Sequence, residues 1–348
     1  MKNLKKVLWA TAILGLVICG FFVYNIYNAI FSPNTTFANE EAYLFISSDA
    51  TIDDVSAQLS PLLDDVSSFK AVAKRKGYSN NIKAGKYILS KGMNNNDIIN
   101  TLRSQNQPVK VSFNNQENLK SLAGRISSQI EADSLSLLKI LNDDVFLKEN
   151  GFNDDTKLSM YLPNTYEFFW NTNAEEFRAR MKKEYDKFWN EERLSKAQAL
   201  NLSPAEITSL AAIVQKETAK IDERPRVAGL YLNRIRKGMY LQADPTVIFA
   251  IKKETGNYDT IIKRVLYKDL EIDSPYNTYK NIGVPPGPIT MPDISSIEGV
   301  LNAEKHDYLY MVSNISNFGY HMFAKSLTQH NRNKAQYIRW LNEQNISR

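Results

Sequence analysis

Glu217 is a carboxylate at a helix position where an apolar residue is expected. The segment from Ser203 to Thr218 reads Ser-Pro-Ala-Glu-Ile-Thr-Ser-Leu-Ala-Ala-Ile-Val-Gln-Lys-Glu-Thr. Ile207, Leu210 and Val214 are spaced three and four residues apart, which places them on one helix face, and position 217 continues that face. A carboxyl group partly removed from water has a raised pKa, which suits general acid catalysis at neutral pH. The spacing alone favours an ordinary glutamate at a helix end, either solvated or paired with an arginine.

The sequence predicts a firm start for the helix that carries this glutamate. Ser203 is a suitable N-cap, and Pro204 suits the first helical position because its missing N–H costs nothing there. Glu206 follows the cap by three residues and completes a capping box. The helix is therefore expected to begin at Pro204 and to present Glu217 at its C-terminal end.

The N-terminus predicts a membrane anchor. Lys2, Lys5 and Lys6 precede an uncharged run over residues 7–31 that is long enough to cross a bilayer. No small-residue cleavage site follows, which favours an uncleaved single-pass helix over a signal peptide. The lysines favour a cytoplasmic tail over residues 1–6, with the remainder on the extracytoplasmic side of the inner membrane.

Composition excludes several other kinds of protein. The 348 residues are 43% hydrophobic and carry a net charge of +5, of which three charges belong to the N-terminal lysines. This balance does not indicate nucleic-acid binding. The single cysteine, Cys19, lies in the apolar run, and the histidines at 306, 321 and 330 lack the tight spacing of metal ligands. We therefore predict no metal and no cofactor.

The part beyond the anchor is predicted to be α+β, in two pieces. A polar linker over residues 32–42 leads into a small α/β subdomain, 43–106, with the order strand, helix, helix, strand. That order resembles a LysM module, which binds amino-sugar polymers, and a structural spacer is an equally good interpretation. A larger mixed α+β domain follows over 107–345, including one long helix over 172–200. The aromatic-rich connector 153–171 favours core packing over a sugar groove.

Two downstream motifs carry the other candidate site residues. The run Gln-Ala-Asp-Pro-Thr places Gln242 and Asp244 beside a proline. The candidates in the second motif and beyond it are Tyr276, Asn277, Thr278, Tyr279, His321 and His330. Each has a structural interpretation as well, such as a turn cap for Asp244 or a hydrogen-bonded structural histidine.

The order and spacing of these motifs resemble the endolytic murein transglycosylases (MltG/YceG-like). The resemblance rests most strongly on the core 160–335, and the matching pieces are Ala212 to Thr218, Leu241 to Ile248, Ser274 to Tyr279, Gly283 to Gly287, Tyr308 to Tyr310, His321 to Phe323 and His330-Asn331. Gln215 departs from the family pattern, which often has a glutamate there. This departure concentrates the expected catalytic role on Glu217.

The resemblance implies cleavage of the bond between N-acetylmuramic acid (MurNAc) and N-acetylglucosamine (GlcNAc) inside nascent peptidoglycan strands. The product would carry a 1,6-anhydro-MurNAc end, with Glu217 as acid and then base and the remaining candidates as groove residues. It also implies termination of strand elongation beside membrane-bound peptidoglycan synthases. The alternative from another functional class is a membrane-anchored peptidoglycan-binding scaffold without turnover.

Overall fold

The first helix, α1 (Lys2–Phe31), opens the computed structural model, which describes residues 2–344. Within that range, one helical stretch, Leu4–Phe31, is long and apolar enough to cross a membrane. None of its most apolar residues is buried by the rest of the chain. This agrees with the predicted single membrane-spanning anchor.

The described chain divides into two units. The first comprises the residues up to 111 together with 129–132 and 166–173, and the second comprises 112–128, 133–165 and the residues from 174 onward. The elements of the first unit after α1 are β1 (Glu41–Ile46), α2 (Ile52–Leu59), α3 (Val66–Arg75), β2 (Gly85–Ser90) and α4 (Asn95–Ser104). This is the predicted order, and its likeness to a LysM module stays a prediction.

An antiparallel pair of strands builds the core of the first unit. β1 and β2 pair from Glu41 opposite Ser90 to Ile46 opposite Gly85. Leu44 and Leu89 face inward, as the period of two along a strand requires. They pack with the apolar sides of α2, α3 and α4 into one hydrophobic cluster.

The segment predicted to be a polar linker, 32–42, makes hydrogen bonds within the first unit. Asn34 is buried, and its side-chain amide donates to the Asp65 carbonyl (2.9 Å) and to Asn95 Oδ1 (2.8 Å). Asn95 in turn donates to the Ala29 carbonyl of α1 at 2.8 Å. A buried amide that satisfies its donors and acceptor in this way fixes the backbone around it, so the end of α1 is joined directly to the subdomain.

The second unit is mainly helical. Strands β3 (Pro108–Phe113) and β4 (Asn164–Phe169) pair with each other. The helices α5 (Leu119–Ser127), α6 (Ser134–Leu141) and α7 (Asp144–Glu149) lie between them in the chain. The following elements are α8 (Ala174–Phe188), α9 (Glu191–Ala199), α10 (Pro204–Glu217), α11 (Arg224–Arg236), α12 (Asp244–Thr255), α13 (Ile294–Leu301), β5 (Tyr310–Ser313), β6 (His321–Ala324) and α14 (Leu327–Glu343).

One expectation about the second unit was wrong. The single helix over 172–200 is two helices, because Asn190 accepts the Arg193 N–H at 3.0 Å and caps a new helix. The connector 153–171 contains a strand. Pro245 occupies the first turn of α12, where a proline is well tolerated.

Helix α10 lies at the centre of the second unit. Every residue from Ile207 to Val214 is buried, because α9, α11, α12 and α13 all pack against this helix. Thr208 and Ser209 satisfy their hydroxyls by donating to the carbonyls of Pro204 (2.8 Å) and Ala205 (2.9 Å). The helix is therefore buried on all sides, whereas the sequence indicated one apolar stripe.

Candidate active site

Glu217 is the last residue of α10, at the point where this buried helix reaches a pocket. The predicted start is present: Ser203 accepts the Glu206 N–H, and Glu206 accepts the Ser203 N–H at 2.8 Å. Thr218 leaves the helix in an extended conformation. The Glu217 residue is half-buried, because part of its surface faces the pocket while protein atoms surround its carboxyl group.

The surroundings of Glu217 favour its protonated form. Burial raises the pKa of this carboxyl to about 7, and the negative charge of Asp244 adds to the effect. The Tyr231 hydroxyl donates to Glu217 Oε1 at 2.9 Å and partly opposes the rise, as do the nearby His321 and the charge of Arg234. A carboxyl group with this pKa holds a proton at neutral pH about half of the time, which is the property of a general acid.

The pocket in front of Glu217 has a volume of about 470 Å³ and a mainly polar lining. That volume lies within the range of small-molecule sites. Its lining is formed by Glu217, Leu230, Tyr231, Arg234, Leu241, Gln242, Asp244, Tyr279, Met311, Val312, Ser313, His321, His330 and Lys334. Five of the eight predicted groove residues are therefore brought together with Glu217: Gln242, Asp244, Tyr279, His321 and His330.

Asp244 and Tyr279 are joined across the pocket edge. The Tyr279 hydroxyl donates to Asp244 Oδ1 at 2.5 Å. Burial and the Asp244 carboxylate both raise the pKa of Tyr279. Gln242, two residues before Asp244, has a φ of 50°, in the left-handed region that residues with a side chain rarely adopt. This backbone conformation places an exposed amide side chain at the pocket.

Tyr276, Asn277 and Thr278 do not line this pocket. All three are almost fully buried. Asn277 donates to the carbonyls of Leu270 (2.8 Å) and Ile272 (2.9 Å), and the Tyr276 hydroxyl donates to Asp155 at 2.9 Å. These contacts fix the loop that presents Tyr279.

Thr278 connects that loop to the start of α12. Its hydroxyl accepts the Ala243 N–H at 3.0 Å and lies 2.8 Å from the Thr246 hydroxyl. Its carbonyl accepts the Gln242 N–H at 3.1 Å. The two motifs that the sequence singled out are thus locked together, with Gln242 and Tyr279 at their exposed edge.

His321 is held by a buried carboxylate. Glu223, which is 4% exposed, accepts the His321 backbone N–H at 2.7 Å and lies 2.9 Å from the ring Nδ1. Burial opposes the ionisation of Glu223, but the hydrogen bonds from His321 and Thr218 outweigh it and hold its pKa below the ordinary value. The carboxylate therefore stays charged and orients the ring.

His330 belongs to a stack of planar side chains at the pocket. Its ring lies on Tyr310 with centroids 5.3 Å apart, and the Arg234 guanidinium lies 5.4 Å from the same Tyr310 ring. Burial lowers the pKa of His330, as do the charges of Lys334 and Arg234. His330 is therefore kept neutral in this stack.

Sequence reasoning missed Tyr231 and Arg234. Arg234 is buried and donates to the carbonyls of Leu309 (2.7 Å) and Leu241 (2.8 Å), so it joins both walls of the pocket. A signal was present: Tyr231 and Arg234 continue the apolar face of α11 from Val227 by steps of four and three. Like Glu217, an arginine at a position where an apolar residue is expected indicates a candidate site residue.

Other polar candidates have structural roles. Gln215 accepts the Asp293 N–H and the Ser296 hydroxyl (3.1 Å), so its amide oxygen supports the start of α13. Arg224 is buried and lies 3.5 Å from Asp293. Arg226 pairs with Glu304 at 2.9 Å on the surface. Within residues 2–344, no cluster of three or more histidine, cysteine or acidic side chains could hold a metal ion.

Comparison with known proteins identifies relatives over most of the chain. The model of the YceG-like family matches residues 44–336. A protein of Bacillus subtilis (strain 168) named endolytic murein transglycosylase is 31% identical over 347 residues, covering 94% of this chain and 93% of that protein. A protein of the same name from Streptococcus pneumoniae serotype 2 (strain D39) is 29% identical, covering 78% of this chain and 53% of the longer streptococcal protein.

A solved structure also resembles this chain. The crystal structure of a yceG-like protein from Listeria monocytogenes is 30% identical, with a TM-score of 0.57. The match covers 84% of this chain and 98% of the Listeria chain. The family match includes all the elements that form the pocket except the end of α14.

Proposed function

Because the chain belongs to the YceG-like family, we propose that it is an endolytic lytic transglycosylase that cleaves peptidoglycan strands. Relatives over nearly the whole chain carry the name endolytic murein transglycosylase. The observation that carries the proposal is Glu217, a carboxyl group with a raised pKa at a polar pocket. This is the arrangement that protonation of a glycosidic oxygen requires.

The proposed reaction breaks the bond between C1 of MurNAc and the oxygen of the next GlcNAc. Protonated Glu217 gives its proton to that leaving oxygen. The 6-hydroxyl of the same MurNAc attacks C1 and loses its own proton, which gives a 1,6-anhydro end. A single carboxyl group is able to serve in both proton transfers, because a glycosidase acid becomes a base once it has given up its proton.

A hydrolase is the competing chemistry at this pocket. It requires a second carboxylate that either activates water or attacks C1. Asp244 is the other carboxylate in the described lining, but Tyr279 occupies its Oδ1. With this oxygen occupied, Asp244 is poorly placed to activate water or to attack C1, which favours intramolecular attack by the 6-hydroxyl.

Substrate contacts are proposed for the residues that line the pocket with Glu217. These are Gln242, Asp244, Tyr279, His321 and His330. Tyr276, Asn277 and Thr278 contribute by fixing the loop and the start of α12 rather than by touching sugar. The distinction follows from burial, since a side chain without exposed surface has no atoms to offer a glycan.

The proposed location is the extracytoplasmic face of the cell membrane. The helix Leu4–Phe31 fits a single-pass anchor, and the lysines before it favour a cytoplasmic N-terminus. Strand cleavage next to the membrane would terminate newly made glycan chains, with membrane-bound peptidoglycan synthases as partners. Labelling of intact cells with a membrane-impermeant amine reagent tests the orientation, since only lysines outside the membrane should react.

Product analysis tests the proposed function. Isolated sacculi are incubated with the detergent-solubilised full-length protein, and the soluble fragments are analysed by mass spectrometry. The proposal predicts internal cleavage with 1,6-anhydro-MurNAc ends. Reducing MurNAc ends would identify a hydrolase, and sacculus binding without soluble product at any protein concentration would identify the scaffold alternative.

A further inference from the structure

The hydrogen bonds between His321 and Glu223 determine which ring nitrogen carries a proton. Glu223 meets this one residue with both oxygens: Oε1 accepts the backbone N–H at 2.7 Å, and Oε2 lies 2.9 Å from Nδ1. An ionised carboxylate only accepts hydrogen bonds, so Nδ1 must be the donor. The neutral ring consequently carries its lone pair on Nε2.

The negative charge of Glu223 is directed at this ring. Its side chain is 2% exposed, and within residues 2–344 its ion-pair partner is His321 rather than a lysine or an arginine. A buried carboxylate with this partner orients the imidazole and is placed to stabilise the positive charge that forms when Nε2 takes a proton. The same logic applies wherever a carboxylate orients a catalytic histidine.

The lone pair on Nε2 is available to the pocket. His321 lines the pocket that contains Glu217, and no protein hydrogen bond occupies Nε2 among the described residues. Glu217 reaches the pocket from the end of α10, and His321 reaches it from β6. The Glu217 carboxyl group and the His321 imidazole therefore line the same pocket, and each has a different hydrogen-bond partner.

We propose that His321 is the base that removes the proton from the MurNAc 6-hydroxyl, while Glu217 acts as the acid alone. This inference rests on the proposed function. The C1 bond to the leaving oxygen breaks, and that oxygen takes the Glu217 proton. The bond from C1 to O6 forms, and the O6 proton passes to Nε2. Proton exchange with solvent then returns His321 to the neutral form and Glu217 to the acid form. Glu223 is a positioning residue.

Assigning the two proton transfers to two residues removes a difficulty that arises when Glu217 must act as both acid and base. Glu217 Oε1 is occupied by the Tyr231 hydroxyl, so Oε2 would have to meet both substrate oxygens in turn. With His321 as base, both transfers proceed together. Each positioned acid or base contributes about 10²–10⁴-fold to a rate, so loss of His321 is expected to fall in that range.

A substrate with a good leaving group separates the two roles. A glycan fragment ending in a MurNAc 4-nitrophenyl glycoside releases 4-nitrophenolate, which departs without a proton. On this substrate Glu217→Gln should retain a rate within about tenfold of wild type, whereas His321→Gln should still lose about 10²-fold or more. On natural strands both variants should lose that much. Glu254→Gln, an exposed change on α12, is the matched control.

Chemical rescue covers the case in which His321→Gln loses stability. His321→Gly leaves space for imidazole added to the buffer, and the rate of anhydro-end formation should rise with the concentration of its neutral form. Absence of rescue in a variant that keeps the wild-type melting temperature contradicts a base role. A structural histidine would not be replaced in function by a free base.

The kinetics of Glu223→Gln test the positioning role. Loss of the carboxylate leaves the His321 ring without the acceptor that orients it, so kcat should fall on both substrates while KM stays close to the wild-type value. A merely structural role would lower the melting temperature without this selective loss of kcat. The other charged or titratable groups that line the pocket are unchanged in this variant: Glu217, Tyr231, Arg234, Asp244, Tyr279, His330 and Lys334.

The outcomes separate this inference from the proposed function. Wild-type protein that releases reducing ends refutes the proposed function itself. Wild-type protein that forms anhydro ends, with His321→Gln within about tenfold of it on both substrates, refutes only the base role. In that case Glu217→Gln should be impaired on the activated substrate as well, because Glu217 would be the base.

Discussion

Two carboxylates six residues apart, Glu217 and Glu223, have opposite properties. Burial raises the pKa of Glu217 to about 7, and one hydroxyl, from Tyr231, opposes it. Glu223 is also buried, but two N–H groups of His321 and the Thr218 hydroxyl hold its pKa below the ordinary value. The number and kind of donors, rather than burial alone, decide which carboxyl keeps its proton. One becomes an acid and the other a fixed negative charge.

The largest expected effect is the loss of activity when the proton of Glu217 is removed. Glu217→Gln keeps an acceptor for Tyr231 but has no proton to give, so turnover of sacculi should fall about 10²–10⁴-fold. The measurement is the initial rate of soluble fragment release, with Glu254→Gln as the control. A rate within a few-fold of wild type would show that the catalytic acid lies elsewhere.

Glu223→Gln tests whether the charged carboxylate of Glu223 stabilises the fold. The amide cannot accept from both His321 N–H groups with equal strength, and its own NH₂ meets one of them. An unsatisfied buried group of this kind costs about 1–3 kcal/mol, so the melting temperature should fall. Thermal unfolding at pH 8 measures this. An unchanged melting temperature would mean that Glu223 is not a stabilising acceptor.

The melting temperature of Glu217→Gln should rise at pH 8, whereas that of Glu223→Gln should fall. The folded-state pKa of Glu217 is raised, so its stabilising contribution is complete below about pH 4.5 and is lost as pH rises through about 7. The full shift corresponds to about 3 kcal/mol, and solvent at the pocket reduces this to about 1–2 kcal/mol. Glu217→Gln should therefore melt above wild type at pH 8 and close to it at pH 4.5. Equal melting temperatures at pH 8 would contradict a buried charge.

Tyr231→Phe is expected to have the smallest effect. The Tyr231 hydroxyl lowers the pKa of Glu217, so its removal should raise that pKa further, by less than about one unit for one neutral hydrogen bond. The basic limb of the activity profile should move to higher pH. Tyr267→Phe, at a residue that is 90% exposed, is the control. A basic limb that moves to lower pH would contradict the conclusion that the Tyr231 hydroxyl lowers the pKa of Glu217.

Local sequence signals predicted the part of the site that lies on one element. The Ser203 cap, the Glu206 box and the position of Glu217 all follow from residues within one helix. The anchor helix and the order of strands and helices in the first unit were also predicted, because apolar runs and periodicities are local patterns. Asn190 is also a local capping signal, but the sequence was interpreted as one continuous helix across it.

Contacts between distant segments decided the rest. Tyr276 and Tyr279 lie in one motif, yet one is buried against Asp155 and the other reaches Asp244 at the pocket. Nothing in the spacing separates them. The link between Glu223 and His321 spans 98 residues and depends on the placement of β6 against the start of α11. Sequence patterns of one chain carry no register for such contacts.

Titration of Glu217 itself tests the central claim most directly. Infrared difference spectra between wild type and Glu217→Gln isolate the carboxyl band of this residue, which can be followed from pH 4 to pH 9. The account predicts a protonated carboxyl that ionises with a midpoint of about 7, in step with the loss of activity on the basic side. A midpoint near 4.5, with activity retained above pH 7, would contradict Glu217 as the catalytic acid.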